Sequence, residues 1–342
     1  MTIPSATSAT TPAALAAPAV TSLLDQRLPR AVSAALLLGL LALPSVLTAL
    51  EGDFYIAVAS RILIFTLAAT SLNLILGYGG MVSLGHAAFL GIGAYTVGIA
   101  MQAGWASAWL TWPLAMALGA LFALAIGAIS LRTQGVYFIM ITLAFAQMLF
   151  YLMVSLKQYG GEDGLSLMQR SELGLGIDLA SDTHFYYVVL ALSALAFVLV
   201  QRLLNARFGH VLQGIRENET RMQALGFATY RYKLAAFTLA GAMAALAGAL
   251  LANQASFVSP ALMQWSQSGM LLIMVILGGV GYLYGGFAGA VVFLLLEEVL
   301  VSYTIHWQFY LGALLLAVVL AAPNGVLSLP ARLRQWAYRR AA

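Results

Sequence analysis

Few residues in this chain are able to do chemistry, so each can be weighed. His86 is the one ionisable residue in the Gly-rich stretch Asn73–Gly98, NLILGYGGMVSLGHAAFLGIGAYTVG. Inside a membrane such a group is a candidate pathway or gating residue. The plainer reading is a histidine bonded to a neighbouring helix, since buried polar groups usually find partners. Glu297 and Glu298 form a carboxylate pair, costly in a bilayer and therefore a functional candidate, yet both lie near enough to His306 to reach the outer surface. Arg61 follows Asp53 by about two helical turns and can snorkel outward. Glu162 and Asp163 stand at the tip of a glycine turn, YGGEDGL. They form either a contact for an external partner or an ordinary solvated loop, without calcium-loop spacing. Gly281, Gly285 and Gly289 recur every four residues within 278–289, a small-residue face suited to helix packing.

The exclusions are sharper. A phosphate-binding P-loop needs Gly-Lys-Ser/Thr, and the lysines here sit in Leu156-Lys157-Gln158 and Tyr232-Lys233-Leu234. There is no metal-binding His/Glu spacing and no serine nucleophile elbow. With no cysteines, disulfides, Cys-ligated zinc and thiol catalysis are excluded.

One stretch stands apart, Gly209–Lys233, reading GHVLQGIRENETRMQALGFATYRYK, an island of charge in an apolar chain. The spacing predicts one short amphipathic helix. Val211, Ile215, Met222 and Leu225 share a face with Asn218 at its middle. Arg216, Glu217, Thr220 and Arg221 point elsewhere, and Glu217–Arg221 is an i,i+4 pair in the favourable order. Gly226 sits where a C-terminal cap wants positive φ. Such a helix has no core of its own and needs a partner, the bilayer surface or another protein. Mixed charges including Glu219, a central Asn and no Trp or Phe suit a protein cleft better than lipid.

The elements that must position these residues are membrane spans. The 342 residues are 62% hydrophobic and 8% charged, where soluble domains run near about 25% charged. Apolar windows predict an all-α polytopic protein with about ten spans: 31–50, 55–76, 83–102, 108–131, 136–156, 185–204, 234–254, 268–282, 285–302 and 307–322. If 279–286 is a re-entrant turn, eight spans result. With ten, Arg27, Arg30, Arg132, the island and the C-terminal arginines face the cytoplasm, and the acidic loop 157–184 faces outward, as the positive-inside rule requires. Both termini are then inside. Residues 1–30 read as a disordered cytoplasmic tail without an evident signal peptide. Residues 31–325 form the transmembrane domain, with a cytoplasmic segment at 205–233, and 326–342 a basic cytoplasmic tail. The net charge of +4 sets topology and does not indicate nucleic acid. Gly77, Gly79 and Gly80 can break the second span and free backbone groups to line a polar cavity. Candidate path residues are Asn73, Gly77, Gly80, Ser83, Gly85, His86, Gly278 and Gly279.

Five stretches resemble the membrane subunits, of the M type, of bacterial ATP-binding-cassette importers for branched-chain amino acids. They are LNLILGYGGMVSLGHAAFLGIGAY at 72–95, YGGEDGL at 159–165, RFGHVLQGIRENETRMQALGFATYRYKLAAF at 207–237, LAGALLANQASFVSP at 246–260 and ILGGVGYLYGGFAGA at 276–290. The resemblance covers about 55–325 and is less specific for substrate, because urea and short-chain amide importers have similar subunits. It implies a multi-pass permease of the bacterial inner membrane, paired with a homologous second permease, two cytoplasmic ATPases and a periplasmic binding protein. ATP and Mg would be bound by the ATPases, and this chain would have no cofactor and no catalytic activity. The resemblance makes 209–233 the coupling segment, its helix docked in an ATPase cleft through Val211, Ile215, Arg216, Glu217, Asn218, Glu219, Arg221, Met222, Leu225 and Gly226. Glu162 and Asp163 would meet the binding protein. Tyr78 and Met81 depart from the smaller or more polar residues expected in the glycine turn. Two rival readings are a stand-alone channel for a small neutral solute and a proton-driven secondary transporter. The latter is disfavoured because no acid sits at mid-span.

Overall fold

The computed structural model describes residues 30–49, 52–174, 178–321 and 325–328; of the expected tails at 1–30 and 326–342, residues 1–29 and 329–342 lie outside the described residues, while Arg30 opens a helix and Val326–Ser328 form a 3-10 turn. Twelve α-helices and one two-residue strand pair follow in order. They are α1 (Arg30–Ala49), α2 (Asp53–Asn73), α3 (His86–Gln102), α4 (Ala108–Ser130), α5 (Val136–Ser155), β1 (Leu165–Ser166), α6 (Asp182–Asn205), α7 (Arg207–Glu217), α8 (Glu219–Ala224), α9 (Thr229–Ala255), β2 (Phe257–Val258), α10 (Trp265–Gly278), α11 (Gly285–Tyr303) and α12 (Trp307–Ala321). Each predicted span falls on a helix, and α7 and α8 occupy the charged island. Seven helices among the described residues, namely α1, α2, α4, α5, α6, α9 and α11, are long and apolar enough to cross a membrane, and α2 is continued by a π-helical turn at Leu74–Tyr78. The other three, α3, α10 and α12, are shorter.

The centre is α3 against α9, with α2 beside them. Small residues bring these backbones together. A Cβ on Gly93 would overlap the Ala245 carbonyl, one on Gly248 the Leu90 carbonyl, and one on Gly241 the side chain of Ala123 on α4. Without apolar contrast between protein and lipid tails, such close packing is what holds spans together. The periphery carries the large apolar side chains. Leu38, Trp109, Tyr137, Met140, Tyr151 and Phe309 are all exposed, as lipid-facing positions should be.

The acidic loop is fastened, contrary to a freely solvated one. β1 pairs antiparallel with β2, Leu165 opposite Val258. The Ser171 N–H donates to Asn253 Oδ1 at 2.6 Å, and Arg170 pairs with Asp182 at 2.6 Å while lying over the Phe185 ring.

Three sequence expectations need correction. The island is two helices, because Asn218 leaves helical geometry (φ −160°, ψ 97°) and caps α8, its Oδ1 accepting from the Arg221 N–H at 2.8 Å. A short amide side chain competes for backbone donors, so Asn caps a helix more readily than it sits inside one. The apolar stripe therefore splits. Val211 and Ile215 on α7 are buried in the chain itself, whereas Leu225 is 66% exposed and Met222 turns back onto Gly214. Glu217 and Arg221, separated by that break, form no ion pair; those among the described residues are Arg61–Glu297, Arg170–Asp182 and Glu219–Lys233. Third, Gly281 is not on a helical face with Gly285 and Gly289. Gly279 and Gly281 have φ of 117° and 84° and turn the chain between α10 and α11, where Gly278 packs on Gly285 and Gly289 on Met274. The Gly226 cap stands as expected: φ is 84°, Gly226 N–H donates to the Gln223 carbonyl and Phe227 N–H to that of Met222, the Schellman arrangement.

Candidate functional site

The candidate path and coupling residues gather at the end of the helices that the charge pattern places in the cytoplasm; Glu162 and Asp163 lie apart from them. The construction begins with the π-turn. After Asn73 the α2 ladder widens through Leu74–Tyr78 and stops at the glycines. The carbonyls of Ile75 and Leu76 accept from Met81 and Gly80, and Gly80 takes a positive φ of 68°. The Gly77 carbonyl accepts from the Arg216 guanidinium on α7, whose stem lies across Gly80.

Asn73 ties the same turn to the α10–α11 connection. Its Nδ2 donates to the Tyr282 carbonyl at 2.8 Å, and its Oδ1 accepts from the Gly281 N–H at 3.0 Å. Gly77 must be glycine for this approach, since a Cβ there would stand 2.6 Å from the Gly281 nitrogen. Gly279 is held from the other side by Gly325.

α8 is anchored separately. Glu219 Oε1 meets Lys233 Nζ, on α9, at 2.7 Å, and Glu219 Oε2 accepts from Gln134 Nε2, in the α4–α5 turn, at 3.2 Å. Lys233 is almost fully buried, which a lysine tolerates only when paired. A cleft of about 290 Å³ opens here, lined by Gly80, Gln134, Arg216, Asn218, Glu219 and Lys233 among others. The exposed apolar side chains are those beyond α8, Leu225, Phe227 and Tyr230.

Ser83, Gly85 and His86 form a second group. His86 is fully buried at the start of α3, with Nε2 2.8 Å from Ser71 Oγ on α2 and its ring edge-on to Phe89. It is thus bonded to a neighbouring helix, the plainer of its two readings. Ser83 Oγ accepts from the Gly85 N–H at 3.3 Å, and Gly85 abuts the Thr142 carbonyl on α5. Ser268 Oγ on α10 accepts from the Ala87 N–H at 2.9 Å. Arg61 reaches Glu297 on α11 at 3.4 Å and lies over Phe65, its side chain remaining partly exposed. Glu298 is half-buried, and Glu162 and Asp163 are exposed at the opposite end of the molecule. Among the described residues no three His, Asp or Glu side chains gather as a metal site requires.

Sequence reasoning missed Lys233 and Gln134 as the partners of Glu219, and Ser71 as that of His86. The available signal was that Lys233 is one of two lysines, placed where a span enters the membrane.

Residues 54–323 match the family described as branched-chain amino acid transport system / permease component. The chain belongs to this family. It is an all-α, multi-pass permease of the bacterial membrane, a component of an ATP-binding-cassette transporter, and not a catalyst. Its relatives include the high-affinity branched-chain amino acid transport system permease protein LivM of Salmonella typhimurium, 28% identical over 79% of this chain and 69% of that protein. The LivM of Escherichia coli is similar to the same extent. The autoinducer 2 import system permease protein LsrC of an Enterobacter species is 30% identical over 72% of this chain and 70% of its own length. No solved structure matches the permease at a significant level.

Proposed function

We propose that this permease is the membrane half-channel of an importer for branched-chain amino acids, working with a homologous second permease, two cytoplasmic ATPases that bind ATP and Mg, and a periplasmic binding protein. The observation that carries the reading is the family match across 54–323 together with the LivM relatives over most of the chain. The LsrC relative supports a second reading, import of autoinducer 2. Urea or a short-chain amide is the third. The test is reconstitution with cognate ATPases and binding proteins and ATP-dependent uptake of leucine, urea and autoinducer 2 in parallel. Leucine uptake is expected; uptake only of another solute would reassign the substrate, and transport by this chain alone would sink the importer reading.

Ten spans with both termini inside are the topology we adopt, and two sets of contacts agree with it. Gly77 and Arg216, both assigned to the cytoplasm, touch one another, and Asn73 holds the 281–282 turn at the inner end of the eighth span. Residues assigned outside, β1 and β2, also meet. In the coupling segment 205–233, the surface offered to an ATPase is Arg221, Leu225, Gly226, Phe227 and Tyr230, since Val211 and Ile215 are already covered. Gly80, Ser83, Gly85, His86, Gly278 and Gly279 shape the path as backbone supports behind it. Glu162 and Asp163 meet the binding protein.

A further inference from the structure

Arg216 sits on the segment assigned to ATPase coupling, yet its guanidinium reaches into its own chain, to the Gly77 carbonyl, although the residue as a whole is exposed. Two neighbours make that inward turn informative. A π-turn is a widened helix whose backbone groups are partly released from the α ladder, and such turns concentrate at functional sites; here the Gly77 carbonyl is taken by Arg216 instead. Four residues earlier Asn73 uses both ends of its amide on a third element, the Gly281–Tyr282 turn. One short stretch, Asn73–Gly80, thus receives α7 on one side and the α10–α11 turn on the other, and Gly77 lets the backbones meet.

We propose that Arg216 and Asn73 are positioning residues that lock α7, the end of α2 and the α10–α11 turn into one moving unit. A displacement of α7 then arrives at two spans at once, with Arg216 adding a polar link to the packing of the buried face of α7. Bonds from a charged donor are stronger than neutral ones, which suits a strap that must carry load. The partners on either side differ: Asn73 is a buried two-point pin, whereas Arg216 is a long side chain on an exposed residue, its stem against Gly80.

This rests on the importer reading, and the test has one arm that does not. In proteoliposomes holding the complete transporter, leucine uptake per ATP hydrolysed is measured for wild type, Arg216→Ala, Asn73→Ala and the double variant. Each single change is expected to lower that ratio by about tenfold, the range typical of coupling between sites, and the double variant to lower it no further, because residues acting as one unit are not additive. Arg216→Lys recovers part of the ratio, since an ammonium still reaches one carbonyl. Multiplying losses in the double variant, or a wild-type ratio in the singles, overturns the proposal. The second arm follows hydrogen exchange of the 279–284 backbone in the purified chain. Arg216→Ala is expected to speed exchange at Gly281, which Arg216 does not touch; unchanged exchange there overturns the unit. If wild type shows no ATP-dependent uptake, the importer reading fails, and the exchange arm still decides the junction.

Discussion

The two ends of the permease are fastened by different means. At the end assigned outside, backbone bonds dominate: β1 to β2, Ala108 N–H to the Glu172 carbonyl at 2.8 Å, Glu172 N–H to that of Ala106 at 2.7 Å, and Leu167 N–H to that of Ser256 at 2.9 Å. At the end assigned to the cytoplasm single side chains do the joining, Arg216 to Gly77, Asn73 to the 281–282 turn and Glu219 to Lys233. A backbone ladder fixes one register and is indifferent to side-chain identity. A side-chain bond can release and reform as rotamers change. The outer end is therefore built as a platform and the inner end as a set of joints.

Breaking the joints should cost most. Glu219→Ala leaves Lys233 buried without its partner and is expected to cost about 3 kcal/mol or more, read as a lower unfolding temperature in detergent. The swap Glu219→Lys with Lys233→Glu should recover most of that loss; no recovery would mean that the pair is incidental. On the platform, Asn253→Ala removes the acceptor for the buried Ser171 N–H and should cost about 1–3 kcal/mol. Uptake per folded molecule should stay near wild type, and an uptake defect beyond the loss of folded protein would blur the contrast between the ends. Leu225→Asp should leave unfolding within about 0.5 kcal/mol of wild type, as exposed substitutions do, while weakening co-purification of the ATPases; intact co-purification would place docking elsewhere. The smallest effect belongs to Glu162→Gln with Asp163→Asn at the platform's tip, where stability should not change and capture of the binding protein should weaken, mostly through a slower on-rate that is itself salt-dependent.

How far the sequence revealed these ends differs between them. The seven long spans were legible because about twenty apolar residues in a row admit few readings, and the Gly226 cap was legible because positive φ is a local demand. The break at Asn218 was hidden by a periodicity that runs unbroken on paper from Val211 to Leu225; nothing local says whether an Asn will cap or ride on a face. Burial of Val211 and Ile215 is tertiary and leaves no mark in the spacing. Arg61–Glu297 and β1–β2 join residues far apart in the chain. Local signals put Arg61 near a span end and said nothing of Glu297, and a two-residue strand is too short to announce itself. His86 was legible as a buried, bonded histidine, but its partner Ser71 was not, because register between two spans is set by packing.

The π-turn at Leu74–Tyr78 amounts to a helix carrying one surplus residue. Removing one residue there, such as Ile75, should let the ladder close to the ordinary α repeat with the residues on either side keeping their facing, because a π-turn absorbs its extra residue locally. The widened turn from which the Gly77 carbonyl is offered to Arg216 would be gone. Seen this way the surplus residue works as an opening: it frees a carbonyl of the second span for a side chain from another helix, and a deletion of one codon would close it without touching a single charged side chain.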